Sequence, residues 1–186
     1  ATKIKFGEAE GRIGDEVTIP VVISDSPGIS TFFFVVKYDP SALSFVSADK
    51  GEVLSSGTFT PVNNSVNGEL SLLWYTVDGD ITKDGILMNV KFRINELARG
   101  NYDLTVHYLP KDIVDTSYEQ INCNVTNGRI STGSMVSGPV TSFGEATEPV
   151  ILRLSENGKE REKVISTDGT YSFSSVSPGT YTLEVS

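Results

Sequence analysis

Six blocks in the first 130 residues carry β-branched and aromatic side chains, most of them alternating with polar ones, and turn residues bound every block. They read VTIPVVIS (residues 17–24), STFFFVVKY (30–38), ELSLLWYT (69–76), ILMNVKFRI (86–94), YDLTVHY (102–108) and QINCNVTNGRI (120–130). A period of two is the strand period, because successive side chains point to opposite faces of a sheet. The separators GDE, SDSPG, VNG, KDG and ARGN supply positive φ or local side-chain hydrogen bonds, and Asn67-Gly68 between apolar positions is a strong hairpin signal. Helix signals are limited to one capped turn each at DPSAL (39–43) and NELAR (95–99), too short to build a layer. The expectation is an all-β chain with two sheets face to face.

Composition removes several functions. With 15 Lys and Arg against 24 Asp and Glu, a net charge of −9 and no basic run, the surface repels phosphate, so nucleic acid and anionic membranes are poor partners. The single cysteine, Cys123, allows neither an internal disulfide framework nor a multi-cysteine metal site, and its neighbours place it in a strand. No apolar run reaches the roughly 18 residues of a membrane span, and no basic-then-apolar leader precedes Ala1, so a soluble segment or a mature form is expected.

Two blocks break the alternation. In STFFFVVKY the polar Thr31 and Lys37 must face out, carrying Phe33 and Val35 with them, while Phe32, Phe34, Val36 and Tyr38 face the core. In ELSLLWYT the outward Ser71 brings Leu73 and Tyr75 to the surface and leaves Leu70, Leu72 and Trp74 inside. ILMNVKFRI and YDLTVHY, by contrast, keep one apolar face, with Met88, Val90, Phe92 and Ile94 inward and Asp103, Thr105 and His107 outward. If the two anomalous strands are neighbours, Phe33, Val35, Leu73 and Tyr75 form a patch of roughly 500 Å², in the range where exposed apolar patches are functional. A loop or the chain's own tail could cover it; the alternative cover is a partner protein.

After residue 131 the pattern changes. STGSMVSGP, with residues 132–139 as its body, reads as a linker, and residues 140–186 hold three or four strands around an Asn157-Gly158 hairpin and a Pro178-Gly179 turn. So few strands do not close a sandwich, and the expectation is a truncated second β segment.

The residues also carry a family resemblance. GDEVTIPVVISDSPGISTFFFVVKYDPSALSFVSADKGEVL (14–54), then NGELSLLWYTVDGDITKDGILMNVKFRI, GNYDLTVHY and NVTNGRI resemble, in that order, the cohesin module, over residues 1–131. The resemblance implies a nine-stranded jelly-roll sandwich without catalytic residues. It implies as partner a calcium-loaded dockerin on an enzyme or another scaffoldin, in an extracellular, secreted or cell-surface cellulosome-type assembly that meets polysaccharide only indirectly. Calcium is then expected on the dockerin, with no cofactor or metal on this chain. The implied docking sheet holds the strands of residues 30–38 and 69–76 and the loop of 78–85, where the apolar surplus lies. Type I cohesins often carry Asn and Asp at the positions of Thr31 and Phe33 and an acid at Lys83, so a more apolar recognition is implied here. The segment GPVTSFGEATEPVILRL…TDGTYSFSSVSPGTYTLEVS is similar to the first half of a prealbumin-like sandwich such as the X module that precedes a dockerin.

Competing motifs are weaker. Asp78, Asp80 and Asp84 in DGDITKDG miss the spacing of a calcium loop. His107 has no G-x-S-x-G serine to serve, and Glu8/Glu10 or Asp15/Glu16 lie at a terminus and a turn rather than in a cleft. A glycan-binding module would use Trp74 and Tyr75 for stacking, but alternation buries Trp74. The expected site is therefore an apolar centre of Phe33, Val35, Leu73 and Tyr75 with a polar rim of Thr31, Lys37, Asn64, Ser71, Lys83 and His107. A dockerin receptor is the leading reading, beside a glycan-binding module and a structural spacer.

Overall fold

The computed structural model describes residues 1–186 apart from Gly133, residues 141–148, Asp168, Ser177 and Pro178. The first module is a sandwich of two sheets. One has the order β11-β1-β3-β8-β5, built from Cys123–Thr126, Thr2–Phe6, Glu16–Ser24, Gly85–Ile94 and Leu43–Lys50. The other has the order β2-β12-β9-β4-β7-β6, from Glu8–Glu10, Gly128–Ser131, Asn101–His107, Thr31–Lys37, Glu69–Tyr75 and Thr58–Asn64, and β10 (Ile113–Val114) also pairs with β4.

The twelve assigned strands reduce to the expected nine because two of them are broken and β10 is a two-residue bridge. β1 and β2 are one run of chain that crosses between the sheets at Gly7, and β11 and β12 are another that crosses at Asn127. The two runs lie parallel and cross together, in β1–β11 and β2–β12 pairs. Glycine is required at this crossing by space: a Cβ on Gly128 would stand 2.9 Å from the Gly7 carbonyl oxygen, and one on Gly7 2.9 Å from that of Pro20, to which the Gly7 N–H donates.

Between the sheets lies a core in which Phe32, Phe34, Trp74 and Phe92 are all fully buried. Phe32 stacks on Phe34 at 5.3 Å and on Trp74 at 5.6 Å, while Phe34 meets Phe6 edge-on at 5.6 Å. The Trp74 indole N–H, which could not be left unpaired in this core, donates to the Ser56 carbonyl at 3.0 Å. Alternation is interrupted at two bulges. One, opposite Val21 and Val22, allows Leu87 and Met88 to be buried in succession; the other, between Phe45 and Ser47, turns Val46 outward at 40% exposure. The DPSAL segment forms its capped turn, with Asp39 Oδ1 accepting from the N–H and hydroxyl of Ser41. Cys123 is buried in β11, and burial pushes its thiol up to about 11.

The C-terminal segment departs from expectation at its start. The stretch read as a linker carries strand β13 (Ser134–Pro139), paired antiparallel with β16 (Thr170–Val176). Alternation is hard to see in SMVSGP because Gly and Pro interrupt it, and the pairing is supplied by a partner more than 30 residues on. A three-stranded sheet, β15-β14-β17 from Lys159–Ser166, Val150–Glu156 and Thr182–Val185, packs with it around Leu152, Leu154, Phe173 and Val176. The β14–β15 hairpin turns through Asn157 and Gly158, at φ 51° and 75°, as an Asn-Gly two-residue turn demands. The turn expected at Pro178-Gly179 lies partly outside the described residues.

The crossing point gives a stability test. Gly128→Ala should destabilise the module by about 1–3 kcal/mol, since the methyl meets backbone that cannot move without disturbing both sheets. Urea unfolding followed by Trp74 fluorescence measures it; an unchanged midpoint would show that the crossing has slack.

Candidate partner-binding surface

Seven consecutive residue pairs join β4 to β7, and they place every anomalous side chain on one outer face. Thr31 stands opposite Tyr75, Phe33 opposite Leu73, Val35 opposite Ser71 and Lys37 opposite Glu69. On the far side of β4, His107 and Thr105 of β9 face Val35 and Lys37; on the far side of β7, Thr60 and Val62 of β6 face Leu73 and Ser71. Phe32, Phe34 and Val36 are at most 2% exposed, whereas Phe33, Val35 and Leu73 are half-buried and Tyr75 is 46% exposed. These values hold with the C-terminal strands present, so the described part of the tail leaves Tyr75 open. That segment meets the first module through the Arg12–Glu162 ion pair at 3.9 Å, on the loop after β2.

The rim residues divide. Thr31, Ser71, Lys37 and His107 share the outer face with the apolar centre. Lys37 pairs with Glu69 at 3.8 Å; the pair is exposed and contributes little to stability. Asn64 stands opposite Glu69 at the Lys37 end of the sheet, where its Oδ1 accepts from the Asn67 N–H and closes the hairpin. Lys83 is off the sheet face, exposed on the 77–84 loop beyond the Thr31 end. That loop is fastened by the Ile29–Ile81 bridge and by Asp84, whose two carboxylate oxygens accept from the Asp25 and Ser26 N–H groups at 3.1 and 3.0 Å. Asp80 likewise accepts from the N–H and hydroxyl of Thr116. Both acids thus act as braces between loops. Among the described residues no group of three His, Cys, Asp or Glu stands close enough to hold a metal ion.

Three surface features escaped sequence reasoning. Val62, 59% exposed, extends the apolar strip onto β6; alternation through TFTPVNN carried the signal, but Pro61 obscured the strand. Leu109, 55% exposed, helps line an open hollow of about 470 Å³ beside Phe33, Val35 and His107, next to the 3₁₀ turn Pro110–Asp112. Tyr118, 86% exposed, projects from a turn at the opposite end, near Tyr75, and only its tertiary setting reveals it. Trp74 is fully buried, which removes it as a platform for stacking sugars.

Chemically, this surface offers apolar contact with polar edges on a stiff sheet, the makings of a protein-docking face. Comparison with known proteins bears on the partner. The family model of the cohesin domain matches residues 2–132, and that of the BOS complex subunit NOMO1-like, second beta sandwich domain, matches residues 131–186. Cellulosomal-scaffolding protein A of Acetivibrio thermocellus is 27% identical across 98% of this chain, which spans only 11% of that protein. The sixth cohesin from scaffoldin B of Acetivibrio cellulolyticus, solved in complex with a mutant Cel5 dockerin, is 26% identical, with a TM-score of 0.61 over 69% of this chain and 96% of its own. A non-cellulosomal cohesin from the archaeon Archaeoglobus fulgidus, at 22% identity and a TM-score of 0.61 over 70% and 89% of the two chains, shares the fold.

The two faces of β4 differ sharply in what a truncation costs. Phe34→Ala should destabilise by about 3–5 kcal/mol, as loss of a buried ring does, and Phe33→Ala, whose ring is half-buried, by about 1–2 kcal/mol. Chemical denaturation of both variants checks this; equal losses would mean that Phe33 is core.

Proposed function

The chain belongs to the cohesin family, whose model spans residues 2–132, and on that premise we propose that its β9-β4-β7-β6 face receives a calcium-loaded dockerin carried by an enzyme or another scaffoldin. The observation that supports this most is the outward-facing row of Phe33, Leu73, Val35 and Tyr75, half-buried at the first three and open at Tyr75, on a sheet whose inner face is already filled. The module works without catalysis, as an attachment point in an extracellular, cellulosome-type assembly. Residues 1–131 form the dockerin-binding module and the strands beyond it a second β module.

Docking proceeds on a preformed surface. β4 and β7 lie in the middle of their sheet, paired on both edges, so little ordering entropy is lost when a partner arrives. A standard interface takes roughly 800 Å² from each side. The strip supplies its centre; Thr31, Lys37, Ser71 and His107 lie around it, with Asn64 and Lys83 at its two ends. Aromatic and aliphatic anchors at the centre dominate affinity, while rim polar groups set selectivity and association rate. The phenylalanine at 33, set among aliphatic neighbours, makes the recognition more apolar than charged.

Isothermal titration against a panel of calcium-loaded dockerins tests this. At least one should bind, EDTA should abolish binding by unfolding the dockerin, and Phe33→Asp should weaken it by at least about 2 kcal/mol, roughly thirtyfold, without unfolding the module. No binder in the panel, or one whose affinity is indifferent to Phe33→Asp, would overturn the proposal.

A further inference from the structure

At the Thr31 end of the strip the surface changes character. Tyr75 and Tyr118 both line a hollow of about 400 Å³, with Thr31, Val77, Asp115 and Thr116 among its other walls. Tyr118 is held there against its backbone preference. Its φ is 61°, in the left-handed region that bulky side chains avoid, and the residue is 86% exposed, so core packing does not explain the conformation. The turn imposes it. Asp115 Oδ1 accepts from the N–H groups of Ser117 and Glu119 at 2.8 and 3.0 Å, the Tyr118 N–H donates to the Asp115 carbonyl, and the Asp115 N–H donates to the Glu119 carbonyl.

The electrostatics of the hollow have one sign. Among the described residues, Asp115 is the charged residue of its lining, and no Lys or Arg lines it. Behind its wall Asp80 grips Thr116 by the N–H at 2.8 Å and the hydroxyl at 3.2 Å, and the whole chain carries −9. Tyrosine faces are themselves negative by their quadrupole, and a cation seated on them is attracted. Asp115 keeps one carboxylate oxygen beyond the one that closes the turn. The hollow is also continuous with the strip, since Thr31 and Tyr75 belong to both.

We propose that this hollow seats a Lys or Arg side chain of the polypeptide that docks on the strip, with Tyr75 and Tyr118 providing aromatic faces and Asp115 the countercharge. The inference rests on the docking surface described above and adds its charge selectivity. Arginine fits best, because its planar guanidinium stacks on an aromatic ring while still reaching a carboxylate.

Two probes separate this inference from that reading. In ¹⁵N NMR, acetyl-Gly-Arg-Gly-amide titrated into the 186-residue chain should shift the amides of residues 75–77 and 115–118. Its neutral citrulline counterpart should act at least about threefold more weakly. Tyr118→Leu should abolish the response, Tyr118→Phe keep it and Asp115→Asn reduce it, none of them lowering the thermal midpoint. Phe33→Asp should leave the peptide response intact. In titration with a dockerin that binds the unmodified chain, Tyr118→Leu should cost about three- to tenfold in affinity and reduce the salt dependence. Equal response to both peptides, no response, or a dockerin affinity sensitive to Phe33→Asp but not to Tyr118→Leu would overturn the inference, and the last outcome would leave the apolar strip standing.

Discussion

Each of the seven pairs joining β4 to β7 sends its two side chains to the same face, so the register of this one pairing settles both the core and the surface. Inward it stacks Phe32 on Trp74 and Phe34, a fully buried aromatic layer that meets Phe6. Outward it aligns Phe33 with Leu73 and flanks them with Val35 and Tyr75. A slip of one residue would exchange the two sets, placing Lys37 and Thr31 in the core. The buried layer therefore enforces the exposed one: the apolar strip stays on the surface because the inner aromatics leave it no other register.

From that strip the functional reading grows outward. β9 and β6 extend the face on either side with His107, Thr105, Thr60 and Val62, giving an apolar centre with polar edges. At one end the face reaches the hairpin closed by Asn64; at the other it reaches the loops braced by Asp80 and Asp84 and the turn that displays Tyr118. Within DGDITKDG, the Asp80 and Asp84 carboxylates are taken up in bracing neighbouring loops. The chain spans about a tenth of the length of the cellulosomal scaffolding protein A to which it is similar.

Much of this was legible from alternation alone. The inward and outward sets of residues 31–38 and 69–75 follow from the positions of Thr31, Lys37 and Ser71, and burial matches them residue by residue. What alternation does not carry is pairing between distant segments. The crossing at Gly7 and Gly128 depends on the two ends of the first module lying side by side, and strand β13 exists through pairing with residues 170–176, so SMVSGP looked like a linker. Bulges at Leu87 and Val46 shift the period locally. Lys83 sits on the loop that follows β7, and the sequence does not reveal the brace from Asp84 to Asp25 and Ser26 that holds this loop against the β3–β4 connection, beyond the end of the strip. Tyr118 depends on a backbone conformation that its residue type disfavours, and no pattern of residue types announces that.

The central claim, that a partner polypeptide lies on the outer face of the β4–β7 pair, is tested most directly by methyl NMR of the chain as a calcium-loaded dockerin is added. Methyl signals of Val35, Val62 and Leu73 should shift and broaden. Those of Val22 and Val46, exposed at 37% and 40% on the opposite sheet, should stay in place. Perturbation centred on Val22 and Val46, with Val35 and Leu73 unmoved, would contradict the claim.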